Sequence, residues 1–329
     1  MSDTSLVSVI IPFFNAPTIQ NAIESILSQT YQNFELILVD NNSSDDSLKI
    51  AQEYANHVKI SLANEPRQGV VFAMDKGIGI SKGSFIMRMD ADDVSFPDRI
   101  EKQLNTFRER PGLSVVSGLV IYEGADENKG FRVYVDWLNS ILSSEQIRLN
   151  QFVEFPMANP SLMFRKEVFE KYGMFEEGDF PEDYEFFLRL QMNGVKMGKV
   201  NHSVLKWIDS ESRFTRTDPR YSAEAFFKIK ATYLAQWLQR NNAHYPKVLI
   251  WGAGRLSRKR SSYLSNYGIE IEGYIDVTKK TDIIHYENIP SKESCFIVSY
   301  VSNRGARDEI RSFLVSRGFD EGIQFILAS

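Results

Sequence analysis

Phe34-Glu35-Leu36-Ile37-Leu38-Val39-Asp40-Asn41-Asn42-Ser43-Ser44-Asp45-Asp46 is an apolar run that stops abruptly in acids and amides. A run this short, rich in branched aliphatics and bounded by turn residues, reads as a buried strand leading into a loop. Upstream, residues 7–12 form a second such run, followed by the turn Phe13-Phe14-Asn15-Ala16-Pro17. Ile19, Ile23, Ile26 and Leu27 then fall at helical spacing, and Pro17 suits a first helical turn. Residues 47–54 read as another helix. Strand, helix, strand, helix in alternation predicts an α/β fold, a mostly parallel sheet with helices on both faces. The pattern continues downstream. Phe85-Ile86-Met87-Arg88-Met89 reads as a strand ending in Asp90-Ala91-Asp92-Asp93. Ser95, with Asp98 three residues on, predicts the N-cap of a helix that carries Ile100, Leu104 and Phe107 on one face. Two more helices are expected over residues 166–172 and 181–193, stopped by Gly173 and Gly194.

The composition narrows the function classes. Of 329 residues, 43% are apolar and 25% charged, which describes a globular chain and neither a disordered one nor a fibre. A net charge of -5 argues against nucleic acid as a partner. The one cysteine, Cys295, lies in the apolar run Cys295-Phe296-Ile297-Val298, so a disulfide framework is excluded. Cys295 reads as a buried core residue, and its context fits a cytoplasmic location. No stretch reaches the roughly 18 apolar residues that span a bilayer. The first residues show no signal-peptide pattern. Peripheral contact with the inner face of a membrane stays compatible with all of this.

In open α/β sheets, ligands bind beyond the carboxyl ends of the strands. Two such ends are acidic here, with Asp40 in one loop and Asp90, Asp92 and Asp93 in another. Both loops are expected on the same edge of the sheet. Carboxylates crowded together repel unless a cation joins them. An Asp-x-Asp pair with few other ligands suits Mg²⁺ or Mn²⁺ shared with a diphosphate. The same tripeptide also suits a plain polar turn whose acids cap the next helix. Glu182 and Asp183 open a predicted helix and complement its dipole, and that N-terminus keeps the Asp183 carboxylate ionised.

Taken together, four segments resemble the family 2 glycosyltransferases. Val7-Ser8-Val9-Ile10-Ile11-Pro12-Phe13-Phe14-Asn15 is similar to their opening strand, and Val39-Asp40-Asn41-Asn42-Ser43-Ser44-Asp45 to their second strand end. Met89-Asp90-Ala91-Asp92-Asp93, with Pro97 and a helix after it, is similar to their metal-binding motif. Glu182-Asp183-Tyr184-Glu185-Phe186-Phe187-Leu188-Arg189 is similar to their late Glu-Asp segment. The four stand in the family's order, over about residues 6–215. The resemblance implies the GT-A nucleotide-diphospho-sugar transferase fold. It also implies a metal-dependent, inverting enzyme that moves a sugar from a nucleotide-sugar donor to an acceptor hydroxyl. Bacterial surface polysaccharide or lipid-linked glycan assembly is the implied setting.

Residue by residue, the resemblance implies that Pro12, Phe13 and Asn15 border the nucleotide and that Asp40 bonds the base or ribose. Asp90 contacts the ribose or the metal-bound phosphate, Asp92 ligates the metal, and Asp183 is the catalytic base. Arg67, before Gly69, lies in a loop that faces the nucleotide. One departure stands out. Where relatives carry Ala-Arg-Asn before the next glycine, this chain has Ala73-Met74-Asp75-Lys76-Gly77, with Lys76 the nearest basic replacement. The polar segment 206–216 reads either as a solvated linker or as a lid, with Arg213 or Arg216 closing on the diphosphate and Trp207 bordering the acceptor. Asn159, in Asn159-Pro160-Ser161, resembles a family segment near the acceptor.

Pro246 marks a boundary, and a second strand-helix-strand pattern begins at Lys247. The expected domains are therefore 1–221, the GT-A domain; 222–245, a helical linker; and 246–329, a small Rossmann-like α/β domain. Gly252-Ala253-Gly254 follows a strand and opens a helix, but Ser257 stands where a dinucleotide fingerprint has its third glycine. Asp276 ends the next strand, near where a ribose-binding acid would stand. Two rival functions follow. One is a non-catalytic nucleotide-sugar-binding protein, against which the intact Asp90, Asp92 and Asp183 set argues. The other is a sugar-nucleotide oxidoreductase using the C-terminal region, against which the missing glycine argues.

Overall fold

The apolar runs form the centre of a sheet. In the computed structural model, which describes residues 5–124, 129–209 and 218–329, all seven residues of β1 (Val7–Phe13) are buried. A strand covered on both faces needs helices on both sides, and the intervening segments supply them. The strands that follow are β2 (Phe34–Asp40), β3 (Ile60–Asn64), β4 (Phe85–Arg88), β5 (Val94–Ser95), β6 (Val115–Glu123), β7 (Met163–Arg165) and β8 (Met197–Ile208). The helices between them are α1 (Ile19–Leu27), α2 (Ser47–Glu53), α3 (Val70–Ile80), α4 (Arg99–Glu109), α5 (Lys129–Ser140), α6 (Ser144–Leu149) and α7 (Glu167–Tyr172). The sheet order is β3-β2-β1-β4-β7-β6-β8-β5. Among the described residues only β7, against β4 and β6, and β5, against β8, pair antiparallel. This is the α/β fold of the GT-A kind, a mostly parallel sheet between helical layers. Helix α3 lies close on β1 because residue 77 is glycine. A Cβ there would stand 2.5 Å from Ile10 Cγ2.

Two expectations on helix ends met different outcomes. Gly173, with φ 83°, and Gly194, with φ 72°, take positive φ just past their helices, which stop there as expected. Ser95 does not cap α4. It belongs to β5, pairs with Leu205, and its N–H donates to Ser25 Oγ at 3.1 Å. The backbone of Val94 and Ser95 finds partners in β8, so the helix starts only at Arg99.

Two compact units divide the chain. The first is Met1–Ser144, Met157–Glu177 and Gly194–Arg216; the second is Glu145–Pro156, Gly178–Asn193 and Thr217–Ser329. The second unit holds α8 (Glu182–Met192), α9 (Ala223–Asn241), α10 (Arg255–Ser261) and α11 (Arg304–Ser316). It also holds β9 (Lys247–Trp251), β10 (Glu270–Asp276), β11 (Ile283–His285), β12 (Ile297–Ser299) and β13 (Phe325–Leu327). These five strands form a second, wholly parallel sheet in the order β11-β10-β9-β12-β13. Cys295 is buried beside β12, as its apolar run implied. Among the described residues no helix is long and apolar enough to cross a membrane.

Polar pins bind the second unit together. Lys230 of α9 is 3% exposed, and its Nζ donates to Val153 O at 3.1 Å and Ala328 O at 3.0 Å. Arg304 pairs with Glu154 at 3.1 Å, and Arg311 Nη2 donates to Asn150 Oδ1 at 3.2 Å. Residues 145–156 are thus tied to α9 and to the end of the second sheet. Burial pushes the Lys230 ammonium down from 10.5 to about 7, with Glu154 opposing. Between pH 7 and 10.5 the unfolded chain therefore holds a proton that the folded chain does not. Folding stability from this group rises with pH across that window. We expect wild type to gain on Lys230→Met as pH is raised from 7 to 10.5, by up to about 1.4 kcal/mol per pH unit. Parallel stability curves for the two proteins, from urea melts, would show that the amine titrates normally.

Candidate functional site

The end of β4 turns sharply into acids. Asp90, Asp92 and Asp93 each offer a carboxylate oxygen, and these lie within 4.8 Å of one another. Asp93 is 1% exposed and the other two are partly so. Such crowding needs cations behind it, and two buried arginines provide them. Arg88 Nε donates to Asp90 Oδ1 at 3.1 Å. Arg99, fully buried at the start of α4, donates through Nη2 to Arg88 O and to Pro160 O, both at 2.8 Å. Burial lowers the Arg99 pKa to about 9, while Asp93 and Asp90 hold it up, so it remains a cation at neutral pH. Asp93 Oδ1 is further fixed by the backbone N–H of Ile208 at 2.8 Å. Three carboxylates outweigh the two guanidinium groups, and every donor atom is a hard oxygen. That donor set fits Mg²⁺ or Mn²⁺.

The loops after β1 and β2 lock into each other. Asn15, with φ 47°, accepts at Oδ1 from the N–H of Ser44 at 2.7 Å, and its own N–H donates to Ser43 Oγ at 3.2 Å. Pro12 and Phe13 are buried in β1. Asp40 is 1% exposed and accepts from Ser43 N–H and Asn64 Nδ2, both at 3.1 Å. Arg67 is held by Glu65 at 2.8 Å and lies over the Phe72 ring, yet its side chain is 65% exposed.

Other predicted residues are placed as follows. Asn159 is 8% exposed in a 3-10 turn (Asn159–Ser161), and its Oδ1 is buried without a hydrogen-bond partner. Arg99 and Gln103 reach that turn through Pro160 O and Ser161 O, so it is fastened to the acidic loop. Trp207 is 7% exposed and packs against Phe131, ring centroids 4.9 Å apart. Arg213 and Arg216 lie outside the described residues. In the second unit, Asp183 stands in the first turn of α8, partly buried, and its Oδ1 accepts from the N–H of Tyr184. Its neighbours Glu182 and Glu185 are 3% and 2% exposed. Also in the second unit, Asp276 Oδ2 accepts from Ala253 N–H at 2.8 Å, and its Oδ1 from Thr278. One of its oxygens thus holds the glycine loop and the other the turn that follows β10.

Sequence reasoning missed Arg88, Arg99 and Asn41. Asn41 is 3% exposed; it donates to Glu65 O and Arg67 O and accepts from Gly69 N–H, fixing the whole 65–69 loop. An arginine inside the apolar run of β4 was the available signal for Arg88, since an isolated cation in a buried strand implies a nearby acid.

A mostly parallel sheet with an acidic cluster beyond the end of β4, backed by buried cations, is consistent with the GT-A class of glycosyltransferases. The family model of Glycosyl transferase family 2 matches residues 8–173, and the chain belongs to that family. It is 28% identical over 247 residues to the O-antigen biosynthesis glycosyltransferase WbnJ of Escherichia coli, covering 70% of this chain and 90% of that one. Its fold is similar to S. aureus TarS 1-349, solved in complex with UDP-GlcNAc. The TM-score there is 0.56 at 17% identity, over 79% of this chain and 71% of the other. It is also similar to the mannosyltransferase PcManGT of Pyrobaculum calidifontis, solved with GDP-Man and Mn2+, with a TM-score of 0.50 at 17% identity over 81% and 74% of the two chains.

Arg99→Ala removes a buried cation from beside Asp90 and Asp93 and leaves two buried carbonyls without their donor. We expect a loss on the order of 3–5 kcal/mol in unfolding free energy. A urea melt at pH 7 showing a loss under about 1 kcal/mol would contradict the backing role given to this residue.

Proposed function

We propose that the chain transfers a sugar from a nucleoside-diphosphate sugar to an acceptor hydroxyl, with inversion at the anomeric carbon. The observation that carries the reading is the Asp90, Asp92 and Asp93 cluster at the end of β4 with its two buried arginines. Asp92 and Asp90 would hold Mg²⁺ or Mn²⁺. When bound, that ion neutralises charge on the departing diphosphate. Mn2+ in the PcManGT complex supports the metal, and UDP-GlcNAc and GDP-Man in the two related structures support the donor class.

Pro12, Phe13, Asn15 and Asp40 border the nucleotide in this reading, with Arg67 at its exposed side and Arg213 and Arg216 on the diphosphate. Asn159 offers its buried oxygen to the sugar or acceptor, and Trp207 backs that region. Asp183 takes the proton of the acceptor hydroxyl as its oxygen bonds to the anomeric carbon. The bond from that carbon to the phosphate oxygen breaks, and its electron pair leaves with the nucleoside diphosphate. A single displacement of this kind inverts the centre. The position of Asp183 at a helix N-terminus favours its ionised form, as a base requires. The printed name of WbnJ supports a glycan or lipid-linked glycan acceptor in surface polysaccharide assembly.

Two variants test the scheme. Asp92→Ala should abolish the metal dependence of nucleotide-sugar binding in calorimetry; an unchanged response to Mn²⁺ would remove Asp92 as a ligand. Asp183→Asn keeps size but accepts no proton, so turnover should fall about 10²–10⁴-fold while donor affinity stays near wild type. Wild-type turnover in the folded variant, at saturating donor and acceptor, would remove the base assignment.

A further inference from the structure

Helix α8 opens under unusual conditions. Its N-cap is Pro181, which offers no capping side chain, and three acids follow at Glu182, Asp183 and Glu185. The N–H of Tyr184 goes to Asp183 Oδ1 and that of Glu185 to Pro181 O, and a first turn without an N-cap side chain frays easily. Two of the acids are buried, so each needs a specific donor. Glu185 has three: Arg189 Nη2 at 2.9 Å, Arg189 Nε at 3.0 Å and the phenol of Tyr233 from α9. Glu182 depends on one. Tyr221 Oη donates to Glu182 Oε2 at 2.5 Å, while Oε1 is buried with no hydrogen-bond partner. That separation is the length of a charge-assisted O–H···O⁻ bond.

Tyr221 comes from a stiff corner. It ends a 3-10 turn (Pro219–Tyr221) whose first residues are capped by Asp218, and Asp218 is doubly bonded by Arg220. Ser222, next in the chain, caps α9 through the N–H of Ala225 at 3.3 Å. The phenol is therefore delivered to Glu182 from a fixed point.

We propose that Glu182 and Tyr221 form a positioning pair for Asp183. With Glu185 clamped from α9 and Glu182 clamped from the 218–222 corner, the first turn of α8 is held at both ends. The carboxylate between them keeps one direction. Neither member of the pair is a catalytic residue. The inference rests on the reading of Asp183 as the base, and it supplies what the missing cap does not.

Tyr221→Phe removes the hydroxyl and leaves the ring. Hydrogen exchange at the bonded amides of residues 184–186 should then speed up about 10–100-fold, with the second half of α8 unaffected. Turnover should fall about tenfold or more with the donor KM unchanged. Glu182→Ala should match it, and Glu182→Gln, which still accepts from Tyr221, should recover most of the loss. A purely structural contact would lower the melting temperature and leave the turnover of folded enzyme intact. Unchanged exchange in a folded Tyr221→Phe protein overturns the pair, whatever the base. Faster exchange with unchanged turnover overturns its positioning role. Asp183→Asn at wild-type turnover overturns the base reading itself, while the exchange result still reports whether the clamp exists.

Discussion

Three carboxylates within 4.8 Å of one another do not stay ionised in a protein without opposing charge, and much of the first unit follows from that constraint. Arg88 must sit inside β4, where its neighbours are apolar, because Asp90 lies two residues on. Arg99 must be wholly buried at the start of α4 to approach both Asp90 and Asp93. Once there, its guanidinium is obliged to find acceptors, and it takes Arg88 O and Pro160 O. The Asn159–Ser161 turn is thereby fastened to the acidic loop. An arginine suits this task better than a lysine because its planar fork reaches several acceptors at once. The arrangement still leaves more negative than positive charge, which is the condition under which a divalent cation binds.

The second unit solves a similar problem by different means. Glu182 and Glu185 are buried at a helix start and are met by hydrogen-bond donors, two of them tyrosine phenols. The helix dipole adds to the favourable field at that end. Lys230 shows the opposite case, a buried cation answered by two carbonyls and an aromatic face 4.1 Å away. No carboxylate pairs with it directly among the described residues, and its depressed pKa records the cost of that.

The central strands were legible because burial on both faces leaves an unbroken apolar run, as in residues 7–12 and 34–39. The acidic loops were legible only in combination, because an Asp-rich turn alone also suits a plain helix start and the order of the four segments is what set these apart. The long strand next to the sheet's edge was not. Strand β8 mixes Lys199, Asn201, His202 and Ser203 into its run, and its pairing with β6 slips register at Leu119, so no period-2 pattern survives. Ser95 misled because a serine before an acid at helical spacing has the same letters whether or not its backbone is taken up by a strand. The grouping of residues 145–156 and 178–193 with the C-terminal sheet depends on pins such as Lys230 to Val153 O. Partners that are bonded through backbone carbonyls leave no mark on residue type. Asn41 was overlooked for the same reason, since both bonds that its amide group donates go to main-chain oxygens.

The account stands or falls on whether the acidic end of β4 handles a nucleoside diphosphate through a divalent ion. The most direct measurement is a calorimetric screen of nucleotide-sugars against the full chain, run with Mn²⁺ and again with excess chelator. The account predicts saturable binding of at least one nucleoside-diphosphate sugar with Mn²⁺ present and its loss when the ion is removed. Binding that is indifferent to the chelator, or no binding to any nucleotide-sugar with Mn²⁺ present, would contradict it.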